Sequence, residues 1–148
     1  MIVLAVVILG LLVFAISNHP RAAAKRQSVQ LARQYGGLRS TSDFYIYNRD
    51  ATYYTVAGKN ASGKKILVIV PQKGGKMRIL KQANGLSASQ VRQQTRQDKH
   101  PSRILKVAMG VFNNKPVWEV TYRNHQGQLC YDLISFKTGK YVSQINNL

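Results

Sequence analysis

Two stretches of this chain can be laid over one another without a gap, and that repeat limits the fold more than any other feature. YYTVAGKNASGKKILVIVPQKGGKM, from Tyr53 to Met77, matches VWEVTYRNHQGQLCYDLISFKTGKY, from Val117 to Tyr141, at an offset of 64 residues. The offset pairs Tyr54 with Trp118, Val56 with Val120, Asn60 with Asn124 and Gly63 with Gly127. Further along it pairs Ile69 with Leu133, Lys73 with Lys137 and Gly75 with Gly139. Turn residues and apolar positions that coincide in this way point to a duplicated unit.

Each copy reads as strand, turn, strand, turn, strand. The N-x-x-G spacing fits a type I turn closed by a left-handed residue, the place glycine takes in a three-residue hairpin loop. In that register Tyr54 faces Val70, Val56 faces Val68, Trp118 faces Ile134 and Val120 faces Asp132. Lys73–Lys76 and Lys137–Lys140 then form the second turns, again with glycine where a positive φ is needed. Phe44 to Tyr47 and Ile104 to Phe112 supply a first strand in each copy.

Upstream, Ser87 and Gln90 have capping-box spacing, and Leu86 with Val91 has the spacing of a hydrophobic staple. The helix they open must end before Pro101. The same offset sends residues 87–99 onto residues 23–35, a second run of helix formers stopped by Gly36-Gly37. Ile66-Leu67-Val68-Ile69-Val70 is apolar at both alternating sets of positions, so both faces of this strand are expected to be covered. One face takes its own helix and the other meets the sister unit. A unit of about 60 residues buries little apolar surface alone, which favours such sharing. The expected domains are 20–83 and 84–148, preceded by a membrane anchor over 1–19.

That anchor rests on Met1 to Ser17, which carries no charge. At ~1.5 Å per residue it spans roughly 25 Å, the short end of a bilayer crossing. A cleaved signal peptide is the rival reading, with Ala15 and Ser17 as the small residues before the cut. No Lys or Arg precedes the run, however, and it is long for a signal peptide's apolar region. An uncleaved anchor is therefore expected. Arg21, Lys25 and Arg26 follow it, against the positive-inside tendency, although long domains cross largely regardless of that bias. Basic residues upstream of Met1 are the expected resolution.

The chain has 22 Lys and Arg against 5 Asp and Glu, a net charge of +17. No acid lies between Asp50 and Asp98, where nine basic residues run from Lys59 to Arg96. Such an excess draws polyanions: nucleic acid, lipid headgroups or anionic wall polymers. The basic residues are dispersed and no groove-reading motif accompanies them, so nucleic acid is disfavoured.

Little in the sequence points to catalysis. His19, His100 and His125 lack ligand spacing with one another, and there is no Cys-x-x-Cys. Cys130 is alone and reads as a small buried residue. Glu119 and Asp132 raise the idea of a carboxylate pair. In the bulged register they sit one step apart on opposite sheet faces, and in the unbulged register they are directly opposite; the simpler expectation is that each neutralises a Lys or Arg. Lys73-Gly74-Gly75-Lys76 lacks the helix and Ser/Thr of a phosphate loop. No catalytic residue, metal ligand or cofactor site is assigned. Among the aromatics, Tyr122, Tyr131 and Tyr141 are the candidates to present a sheet face to a partner.

The apolar start, AGKNxxGKKILVIVP, PVWEVTYRN and YDLISFKTGK together resemble the TseB-like (YpmB-like) cell wall elongation regulators of Gram-positive bacteria. The resemblance covers nearly the whole chain and is carried by turn and core residues. It implies an α+β fold: an N-terminal transmembrane helix, then two tandem cystatin-like domains related to the PepSY group, each a helix packed on an antiparallel sheet. It also implies an extracytoplasmic regulator that contacts a class B penicillin-binding protein. An inhibitor or chaperone of a secreted peptidase is the alternative that the same domain type allows. Anionic wall polymers or headgroups are further expected partners of the basic surface.

Overall fold

The structure is a computed structural model that describes residues 20–146 of the 148. Met1 to Ser17, expected as the anchor, lies outside the described residues. Among those described, no helix is long and apolar enough to cross a membrane.

Helix α1 covers 20–35. It buries Ser28 and Ala32 and exposes Arg21, Lys25, Arg26 and Arg33 to solvent. The Gly36 amide closes its last turn on the Ala32 carbonyl at 2.9 Å, and Gly37 leaves it at φ +75°. Four antiparallel strands follow in the order β1-β2-β3-β4: β1 (Leu38–Asn48), β2 (Thr52–Asn60), β3 (Lys65–Pro71) and β4 (Arg78–Lys81). A 3-10 turn over Gln82–Asn84 leads to α2 (Ala88–Lys99). The second sheet has the same meander order: β5 (Arg103–Phe112), β6 (Lys115–Arg123), β7 (Leu129–Ser135) and β8 (Tyr141–Ile145).

The duplication is visible down to single hydrogen bonds. Asn60 Oδ1 accepts from the Ser62 and Lys64 amides at 3.0 Å each, and Gly63 turns at φ +74°. In the second copy Asn124 Oδ1 accepts from the Gln126 and Gln128 amides at 3.1 and 2.9 Å, with Gly127 at φ +79°. Tyr54 pairs with Val70 and Val56 with Val68, while Trp118 pairs with Ile134 and Val120 with Asp132, as the turn spacing requires. The capping box forms in full: the Gln90 amide donates to Ser87 Oγ and the Ser87 amide to Gln90 Oε1. Helix α2 ends at Lys99, with His100 left-handed just before Pro101. Strand β1 begins well before the expected Phe44. Two register shifts, at Leu38/Ser40 and Thr41/Asp43, break the period of two, so the polar run Arg39–Asp43 shows no alternation to read.

The core is shared between the copies. Ile66, Val68 and Val70 face α1 and pack with Ala32, Leu38 and Val56. Leu67 and Ile69, on the other face of the same strand, belong to the cluster of Val91, Met109, Trp118, Val120 and Ile134. Both faces of β3 are therefore covered, one by its own helix and one by the sister unit. The contact is specific as well as apolar. Thr55 Oγ1 donates to the Met109 carbonyl at 2.9 Å, and Tyr45 meets Trp118 edge-on with centroids 5.3 Å apart. Tyr47 lies over Gly110, where an added Cβ would run into the ring.

Candidate docking surface

Alternation along a strand assigns side chains to two faces, and what covers each face decides which of them a partner can reach. Tyr122 lies on the α2 side of the second sheet and is 3% exposed. Its hydroxyl donates to Asp132 Oδ2 at 3.2 Å. Burial, with the Asp132 charge beside it, pushes its phenol pKa up. Tyr141, paired with Ile134, is on the same side, at the edge. Its hydroxyl donates to Asp98 at 2.8 Å, and the Lys99 ammonium sits 4.6 Å from its ring centroid. Burial, helped by that bond to Asp98, raises the Tyr141 pKa to about 12. Tyr131 pairs with Thr121 and so lies on the opposite face, half-buried. The three tyrosines therefore do not converge on one patch.

The two carboxylates occupy opposite faces of the β6–β7 ladder, one step apart. Glu119 Oε2 is 3.7 Å from Arg49 Nη1, and Asp132 Oδ2 is 3.9 Å from Lys99 Nζ. Each is thus met by a cation, as the excess of Lys and Arg leads one to expect. Burial nevertheless dominates, and both carboxyls are held above their ordinary pKa despite the opposing pull of Arg49 and Lys99. Asp132 Oδ1 has no hydrogen-bond partner among the described residues. Two buried carboxylates on opposite faces cannot share a substrate atom.

His100 caps α2, His125 is exposed in the β6–β7 turn, and Cys130 is buried. His19 lies outside the described residues. Among the described residues there is no group of three His, Cys, Asp or Glu that could hold a metal ion. The Lys73–Lys76 segment is the β3–β4 turn, with Gly74 and Gly75 at φ +80° and +112°.

A further opening lies elsewhere, where the first sheet's inner face runs out from under the sister unit. It is a cleft of about 580 Å³ between β1–β3 and the first turns of α2. One wall is sheet: Ser40, Ser42, Asp43 and Tyr45 from β1, Lys59 from β2 and Lys65 from β3. The other wall is Ser87, Ser89 and Arg92 at the start of α2. Along this face the cross-strand pairs run Thr55–Ile69, Ala57–Leu67, Lys59–Lys65. The row is apolar where the second unit covers it and basic where that cover stops. This site was absent from the residues singled out in the sequence. The turn register that pairs Val56 with Val68 also pairs Lys59 with Lys65, which was the available signal. What the sequence lacked was the position of α2 above them.

These features define a two-unit α+β protein, each unit one helix and a four-stranded meander, closed on a common core and open at a basic cleft. Known proteins are similar to it in sequence and in fold. A family model described as the cell wall elongation regulator TseB-like domain matches residues 27–71, from within α1 to the end of β3. The chain is 23% identical over 150 residues to the probable cell wall elongation regulator TseB of Bacillus subtilis (strain 168). That match covers 97% of this chain and 93% of the relative. The solved structure of the YpmB protein from Bacillus subtilis has the same fold, with a TM-score of 0.71 at 24% identity. It covers 82% of this chain and 95% of that one. The chain is similar to the TseB-like (YpmB-like) proteins, in sequence along nearly its whole length and in fold.

Proposed function

We propose that this chain regulates cell wall elongation by binding, and that its partner is a wall-synthesis enzyme of the class B penicillin-binding type. The similarity to TseB over 97% of this chain and 93% of that relative carries the reading, because it spans both units rather than one borrowed domain. The two units are cystatin-like domains in tandem, held outside the cell by the uncharged segment Met1 to Ser17 as a single-pass anchor. Tethering in the partner's own membrane raises effective concentration, so a weak interface suffices. The net charge of +17 adds attraction to anionic wall polymers or lipid headgroups, a supplement that weakens as salt rises. Catalysis has no part in this reading: the two buried carboxylates, Glu119 and Asp132, lie on opposite sheet faces.

Crosslinking in intact cells, followed by mass spectrometry of what is attached to the full chain, tests the proposal. A class B penicillin-binding protein is the expected product. A secreted peptidase in its place would favour an inhibitor or chaperone and overturn the elongation reading. Protease treatment of intact protoplasts checks the topology: an extracytoplasmic chain is digested, a cytosolic one survives.

A further inference from the structure

We infer that the cleft between the two units is a binding site for an extended acidic peptide segment. The first ground is an unfavourable charge arrangement. Lys59 and Lys65 face each other directly across β2 and β3, and like charges in that position destabilise a sheet. No carboxylate among the described residues forms an ion pair with either. Arg92 reaches the same cleft from α2, bringing a third cation.

The duplication provides an internal control. At the equivalent place the second unit has Arg123 opposite Leu129, so the fold does not demand a pair of cations there. Arg123 also faces Arg103 on its other side, but its guanidinium donates to its own turn, at 2.8 Å to the Gly127 carbonyl. Lys59 and Lys65 have no such acceptor among the described residues and line open space. A negative group between them would turn their repulsion into attraction.

The remaining lining selects the kind of anion. Asp43 stands in the wall, which disfavours a densely charged chain such as polyphosphate but suits a peptide, whose amides need acceptors. Ser40, Ser42, Ser87 and Ser89 add hydroxyls that both donate and accept. Ala57 and Ala88 are small, so a backbone can approach closely between the cations. A cleft of about 580 Å³ holds several residues of an extended chain. The site deepens the proposed role by supplying the kind of segment that the partner would offer.

A random dodecapeptide display library panned on the full chain tests the site without the cell. Asp- and Glu-rich sequences should be enriched. Affinity of the selected peptides should fall at least tenfold in a K59Q/K65Q double variant and in R92Q. It should stay within about threefold in K73Q/K76Q, which removes the same charge from the β3–β4 turn. K59Q/K65Q should also unfold at a slightly higher temperature than wild type, confirming that it folds. No acidic enrichment, equal loss in both double variants, or stronger competition by polyphosphate than by the peptides would overturn the proposal. A negative result here combined with a penicillin-binding protein in the cell crosslink would remove the cleft and leave the regulatory reading standing.

Discussion

Single residues lock the two units together, and Gly110 is the tightest of these points. With the Tyr47 ring directly above it, Gly110→Ala must displace either the ring or β5. The expected cost is about 1–3 kcal/mol, the range for overpacking a filled core, read from urea denaturation. Trp118 is held by its indole N–H to the Leu86 carbonyl at 2.8 Å, just before α2. The buried carboxyls give stability a pH dependence of definite sign. Glu119 and Asp132 have raised folded pKa values, caused first by burial, so they bind protons more tightly folded than unfolded. Their contribution is full below the ordinary carboxylate range and is lost as pH rises through the raised folded values. Asp132→Asn should therefore lose less stability than wild type between pH 4 and about 8, measured by urea denaturation at each pH. A wild-type profile that rises more steeply than the variant's over that range would show that Lys99 outweighs burial at Asp132.

At the scale of elements, local chemistry fixes where helices and turns begin and end. Ser87→Ala removes one half of the capping box and should cost about 1 kcal/mol, read as a lower melting temperature. Asn60→Ala and Asn124→Ala each remove two side-chain acceptor bonds from equivalent turns, but Asn124 also donates from Nδ2 to Gln128 Oε1 at 2.7 Å. Asn124→Ala should therefore cost more than Asn60→Ala by about 0.5–1.5 kcal/mol, the usual net worth of one hydrogen bond, read from urea denaturation. These elements were legible because a capping box, an N-x-x-G turn and a strand period all act within a few residues. The start of β1 was not, because its bulges destroy the alternation that marks a strand. Nor was the fate of the tyrosines: Tyr122 and Tyr131 look alike in sequence, and only the placement of α2 over one sheet face buries the first. The basic cleft stayed hidden for the same reason, since Arg92 joins Lys59 and Lys65 only through the packing of α2.

For the whole molecule, the decisive feature is that β3 has no free face. Leu67 and Ile69 are 1% exposed because the second unit covers them, and Trp118 is equally buried beneath the first. Separating the units would expose this shared apolar layer, which is why two small αβ units make one stable body when each alone is marginal. That body presents a basic cleft where the cover of the first sheet stops. Native-state amide hydrogen exchange tests the shared core most directly, by comparing the β3 amides of Leu67 and Ile69 with the β6 amides of Trp118 and Val120. One common opening free energy with one denaturant dependence is predicted. Earlier opening of β3, with β6 still fully protected, would contradict it.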